Sequence, residues 1–248
     1  MVSAVDYVLR KKKLQSEAQR LADELSPQVG VKQIDIGITT SFAFRFAPNL
    51  VAWYEVRNGH RVLWGDIDLK KIMPRFSAHH LSLLDGAIYF LSRGSGLLIP
   101  AMYFLPDGKI LQRHRENFQI EVDKACMAMG DALLLLHKKY HYSYVKRMKR
   151  LELMDVTDVP QGEILRKWYL EAVDRKLRPH FDWPGDEEMV NRWFEVRDSF
   201  SLFFLWYEGI RLNRPFEDWE EYSAFIVRKV KDPFRDRLRV LVRSATRS

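Results

Sequence analysis

The residues of this chain that could do chemistry are few and scattered. Asp66 and Asp68 stand in Gly65-Asp66-Ile67-Asp68-Leu69, an Asp-x-Asp whose carboxylates share one side of an extended backbone and could share a divalent cation. The segment runs into Leu69-Lys70-Lys71-Ile72, however, where an aspartate caps a helix well, so capping or turn roles are preferred. Arg93-Gly94-Ser95-Gly96 has the composition of a phosphate cradle, but it follows a helical pattern and lacks the Gly-x-x-x-x-Gly-Lys spacing. A helix stop with a left-handed glycine is the expectation there. His137 and His141 lie four apart, as in helical zinc sites, yet no Glu adjoins the first and no cysteine cluster completes a ligand set. They are expected as solvated or partly buried histidines at a helix end. His79-His80, after Ser77, fit an N-terminal helix boundary, and no Ser-His-Asp set is legible.

Asp131 is more informative. It follows Gly130 inside an apolar helical run, where a charge is costly unless paired. A salt bridge to Arg147 is preferred over a substrate contact. Tyr140, Tyr142, Tyr144 and the Trp206-Tyr207 pair could stack on a base, although at such spacing aromatics are more often core and rim.

The elements that must position these residues follow from periodicity. Val5, Val8, Leu9, Leu14, Ala18, Leu21, Ala22 and Leu25 recur at helical spacing over 4–26, and Ser26-Pro27-Gln28-Val29-Gly30 stops that helix. In 32–40, Ile34, Ile36 and Ile38 alternate with Asp35, Gly37 and Thr39, which predicts a strand with one apolar face and one face carrying a carboxylate. A short helix over 48–57, a short strand over 60–64 and a helix over 79–96 follow. From Glu116 onward the pattern is helical: 116–139, 143–153, 161–178, 186–211 and 216–244, with turns at Pro160-Gln161-Gly162, Trp183-Pro184-Gly185, Asn213-Arg214-Pro215 and Asp232-Pro233. No repeat of fixed period is present.

Three pieces, taken in order, resemble nucleotidyltransferase-fold proteins of the DNA polymerase β-like superfamily. The strand Ile34-Asp35-Ile36 resembles the strand bearing that fold's third carboxylate. The stretch Trp53 to Asp66, ending Val62-Leu63-Trp64-Gly65-Asp66, is similar to the helix and strand that follow it. Gly130-Asp131-Ala132-Leu133-Leu134, with Tyr140-His141-Tyr142-Ser143-Tyr144 and Arg147, looks like the helical region beyond the catalytic domain. The resemblance spans roughly residues 1–155. It implies an α+β fold, with a small incomplete nucleotidyltransferase-like sheet in 1–110 and a helical bundle in 111–248. It also implies a nucleotide-sized cleft and Asp35 as a catalytic residue and Mg²⁺ ligand. The family's Gly-Ser turn and Asp-x-Asp strand have no counterpart before Ile34. Transfer through two Mg²⁺ ions needs several converging carboxylates, and Asp35 alone cannot organise the pair. The expectation is a degenerate or incomplete relative, with Mg²⁺ only if the missing half lies upstream or on another polypeptide.

Composition frames the alternatives. The chain has 248 residues, 47% hydrophobic and 29% charged, which suits a globular fold with a sizeable core. A single cysteine, Cys126, lies in an apolar run and reads as a buried thiol, suggesting a reducing, cytoplasmic setting. No apolar run matches a leader or a membrane span. The net charge of +7 permits polyanion binding. Much of the excess falls in 228–247, where a solvated helix face is preferred over an RNA-binding one. The second reading is therefore a non-enzymatic adaptor that contacts nucleic acid or a protein partner through its basic helical half, with Arg235, Arg237, Arg239 and Arg243 on nucleic acid. A structural subunit of a larger complex is the third.

Overall fold

The computed structural model describes residues 4–30, 34–104, 108–181 and 185–230. The helices in chain order are α1 (Ala4–Leu25), α2 (Ser41–Arg45), α3 (Val51–Gly59), α4 (Leu69–Ile72), α5 (Leu83–Gly94), α6 (Leu98–Ala101), α7 (Gln112–Leu136), α8 (Tyr144–Glu152), α9 (Gly162–Leu177), α10 (Asp186–Leu212) and α11 (Trp219–Val230), with 3-10 turns at Ala78–His80 and Ser95–Leu97. By contact the described residues up to Pro48, together with His60–Arg75, form one unit; Asn49–Gly59 and the described residues from Phe76 onward form another.

In the first unit the strand expected over 32–40 is not found: the described residues 34–40 carry no regular secondary structure and join no sheet. Its backbone is met instead by side-chain amides of α1. Gln15 donates to Ile36 O at 2.5 Å and accepts from Ile38 N at 3.2 Å, and Gln19 donates to Ile34 O at 3.4 Å. The segment expected as a strand over 60–64 likewise forms none, with Leu63 87% and Trp64 91% exposed. Backbone pairing of extended chain among the described residues is one antiparallel bridge, Phe104 with Ile110. The expected α+β class with a small nucleotidyltransferase-like sheet is therefore corrected: the chain is largely helical. Alternating isoleucines suit a pleated surface, but a strand needs a partner edge, and among the described residues no backbone bridge is made by this segment. Asp68 does cap α4, accepting from Lys70 N at 2.9 Å, and Ser77 caps the turn bearing His79.

The second unit is built round α7, whose residues from Ala125 to Leu135 are all buried. Helices α5, α9 and α10 pack on it, and α8 follows after a short turn. Phe90 of α5 stacks on Phe200 of α10 at 3.9 Å between ring centroids. Gly94 permits this approach: a Cβ there would lie 2.3 Å from the Phe200 ring. Its backbone is right-handed helical, φ −64°, so the expected left-handed stop is also corrected; the glycine answers packing, not a turn. Cys126 is buried in the same core. No helix among the described residues is long and apolar enough to cross a membrane.

Candidate functional site

Asp131, buried at 1% exposure on α7, is one of the charged side chains buried in the second unit, along with Asp123, Arg147 and Glu208. Its Oδ2 accepts from Arg147 Nη1 at 2.6 Å and its Oδ1 from the Tyr169 hydroxyl at 2.8 Å. Gly130 makes room for that hydroxyl's ring, since a Cβ would lie 2.1 Å from Tyr169 Cδ2. The adjacent Gly and Asp thus act together, one admitting the tyrosine ring and the other accepting its hydrogen bond. Arg147 is itself fully buried. Its Nη1 also donates to the Tyr140 oxygen at 2.7 Å, and Tyr140 donates to Glu55 Oε1 of α3 at 2.6 Å. Glu55 stands 3.1 Å from Arg147 Nη2, and the Tyr144 ring covers the guanidinium at 3.9 Å. Burial pushes the Asp131 carboxyl up to about 6, against the lowering pull of Arg147 and Tyr169. Arg147 is held above the usual arginine range by Asp131, despite its own burial. At neutral pH this is an ion pair with well-placed hydrogen bonds, the circumstance in which buried charges persist. The expected Asp131–Arg147 bridge is present; Glu55, Tyr140 and Tyr169 as its partners were not legible.

This anchor fixes the turn between α7 and α8, where the exposed charge gathers. Leu134 and Leu135 carbonyls accept from Lys139 N at 2.7 Å and Lys138 N at 3.0 Å, the paired bonds of a Schellman cap. The left-handed position in that cap, φ 57°, is taken by Lys138 and not by glycine. Arg150 then reaches back, donating to the carbonyls of Lys139 at 2.7 Å and Tyr140 at 3.0 Å. Between His137 and Leu151 no residue is acidic, and Lys138, Lys139, Lys146, Lys149 and Arg150 are all exposed. Tyr142 is exposed as well, its ring 4.3 Å from that of His141. The His141 imidazole is held below its usual range, first by burial and then by Arg150, Lys146 and Arg147. Its neighbours make the surroundings hostile to a further cation.

A concavity of about 1200 Å³ opens between α7, α9 and α10 over Phe118, Val122 and Met189. Arg175 there is held by Asp123 at 2.7 Å, and Arg192 by Glu171 at 3.2 Å and the Trp168 ring at 4.1 Å. Its rim adds Glu187, Glu188 and Glu195, so it repels polyanions where the α7–α8 turn attracts them.

The residues singled out from sequence fall elsewhere. Asp35, the expected catalytic residue and Mg²⁺ ligand, is exposed in the irregular segment of the first unit. Among the described residues no three His, Cys, Asp or Glu side chains gather into a group able to hold a metal ion. Arg235, Arg237, Arg239 and Arg243 lie outside the described residues. Of the tyrosines considered as stacking groups, Tyr140 and Tyr207 are buried, Tyr144 covers Arg147, and Tyr142 is exposed. The basic run at 138–150 was visible in sequence, but the periodicity could not show that Arg147 alone among its cations turns inward. Compared with family models, curated proteins and solved structures, the chain matches none.

Proposed function

We propose that this protein is a non-enzymatic, helical nucleic-acid-binding adaptor that grips phosphates with the turn joining α7 and α8. The observation that carries the reading is the exposed, acid-free strip Lys138, Lys139, Lys146, Lys149 and Arg150 beside an exposed Tyr142. Cations at a surface hold a polyanion by releasing its condensed counterions, with no demand on sequence. An exposed aromatic in the strip adds a face on which an unpaired base stacks, which favours single strands. The buried Asp131–Arg147 pair supports this by holding the start of α8 rigid from within, and the left-handed Lys138 keeps a charge where glycine would be easier.

The test is fluorescence anisotropy of a labelled single-stranded oligonucleotide against the full chain, over a series of KCl concentrations. The expected result is salt-sensitive binding whose log–log slope falls by about one for each phosphate-contacting lysine removed. Lys146→Glu with Lys149→Glu should weaken binding by about ten-fold or more at moderate salt, because each reversal replaces attraction with repulsion. Binding that ignores salt, or is unchanged in the double variant, overturns the reading. Equal affinity for a duplex would retain the phosphate strip and remove the role of Tyr142.

A further inference from the structure

An exposed tyrosine is ordinary on a protein surface, but Tyr142 is held on several sides. On its N-terminal side, Arg150 donates to the carbonyls of Lys139 at 2.7 Å and Tyr140 at 3.0 Å. On its C-terminal side, the Ser143 amide at the start of α8 donates to His141 Nδ1 at 3.0 Å. The backbone flanking Tyr142 is thereby tied down. Its ring is bounded as well. The His141 imidazole lies 4.3 Å away between centroids and tilted by 31°, close enough for the two rings to face each other. At the edge stands Gly59, the last residue of α3, where a Cβ would come within 3.2 Å of Tyr142 Cδ2. Among the described residues no other ring and no cation stacks on Tyr142, and 36% of the residue is exposed.

A plainer role for Tyr142 is to cover the C-terminal end of α3. That role calls for the contact with Gly59 and gives no reason for the rest. It needs neither an imidazole against the ring nor an open π-surface within a strip of cations. His141 suits a stacking neighbour because it stays neutral, held below its usual range first by burial and then by Arg150, Lys146 and Arg147. Its Nδ1 accepts from Ser143, so the ring proton is on Nε2. Tyr142 is thus backed by a fixed, neutral ring, and its exposed surface lies within the acid-free strip at 138–150. The ligand that fits such a surface has a π-face with negative charge on either side of it. One unpaired base within a phosphodiester chain meets that description.

We propose that Tyr142, set in place by His141 and Gly59, is a stacking subsite for a single unpaired base and favours a purine over a pyrimidine. The preference follows from area, since a two-ring base covers more of the phenol ring than a one-ring base. Tyr142 touches the base, while His141 and Gly59 are positioning residues that fix the tilt of its ring. The proposal rests on the reading of the 138–150 strip as a phosphate grip and adds base selection to it. Cations at phosphates are blind to the bases between them, so the selection falls to the tyrosine.

The test is fluorescence anisotropy of the full chain with three labelled single strands of equal length: oligo-dA, oligo-dT and a strand of abasic tetrahydrofuran units. Each is measured over a KCl series, and the readout is the ratio of affinities for strands with and without bases at one salt concentration. In the native chain oligo-dA should bind more tightly than oligo-dT. It should exceed the abasic strand by about five-fold to a hundred-fold, the range for one stacked base. Tyr142→Ala should bring that ratio close to one, and Tyr142→Phe should keep it. His141→Asn, which retains an acceptor for the Ser143 amide but no ring, should lower the ratio by about two-fold or more, as should Gly59→Val. A merely structural loss would weaken all three strands alike and leave the ratio where it was. A native ratio near one overturns the proposal and needs no variant to fold. A ratio that survives Tyr142→Ala, or oligo-dT bound as tightly as oligo-dA, overturns it too. Salt-sensitive binding with a ratio near one leaves the strip standing without the subsite, whereas binding of no strand removes both, so the two failures read differently.

Discussion

At the scale of single residues, Asp131 carries a measurable consequence. Its carboxyl is pushed up to about 6 in the folded chain by burial, whereas an aspartate in an unfolded chain titrates near ~3.9. Between those two values the folded state holds a proton that the unfolded state has released. Stability contributed at the acid end is therefore lost as pH rises through that window. The expected outcome is that the stability advantage of the native chain over Asp131→Asn shrinks from pH 4 to pH 7. The change should be about 2 kcal/mol, from ~1.4 kcal/mol per pKa unit with part of the unfolded titration already complete at pH 4, as read by urea unfolding at each pH. An advantage that grows with pH would show that Arg147 outweighs burial and keeps the carboxylate ionised throughout. This pair was the most legible feature of the sequence, since an Asp inside an apolar helix demands a partner and a basic residue stood within reach. Glu55, Tyr140 and Tyr169 were not legible because their distances along the chain, 85 residues between Tyr140 and Glu55, leave no trace in a local pattern.

Among the elements, the α7–α8 turn sets local strain against surface charge. Lys138 occupies a left-handed position that glycine accepts at no steric cost. Lys138→Gly should therefore raise stability by about 0.5–1 kcal/mol, less than the full strain because glycine also frees the unfolded chain. The same change should weaken oligonucleotide binding and lower its salt slope by about one, through loss of one phosphate contact. Opposite signs in the two measurements are the point of the experiment. A variant that is no more stable would mean the strain is relieved elsewhere, and one that binds as before would remove Lys138 from the interface. Helix positions were readable because α7, α9 and α10 bury stripes or whole faces at helical spacing. The strand expected at 32–40 was misread because alternation describes side-chain faces and says nothing of the neighbouring edge. Here Gln15 and Gln19 of α1 take the place that a partner strand would fill. The resemblance drawn at Ile34-Asp35-Ile36 expected that strand within a sheet, and the described residues form no sheet there.

For the molecule as a whole, cohesion of the helical unit can be followed from inside through its one cysteine. Cys126 is buried at the centre of α7, and burial pushes its thiol up to about 12. A thiol that is both inaccessible and protonated reacts only when the core opens. Labelling by a thiol reagent under native conditions should thus be slow. The opening free energy it reports should match that from urea unfolding, as expected where a core residue exchanges through global opening. Gly130→Ala provides the control within the same helix. The added Cβ would press on the Tyr169 ring, displacing the hydroxyl that Asp131 receives, and overpacking of this kind costs about 1–3 kcal/mol. If α7 and the helices around it open as one body, the substitution should lower the opening energy at Cys126 and the urea stability by the same amount. Labelling that is fast in the native chain and unmoved by Gly130→Ala would instead place Cys126 on a local route of opening. The Asp131–Arg147 anchor would then hold only its own turn, and the rigidity claimed for the start of α8 would have to come from Arg150 and the Schellman cap alone.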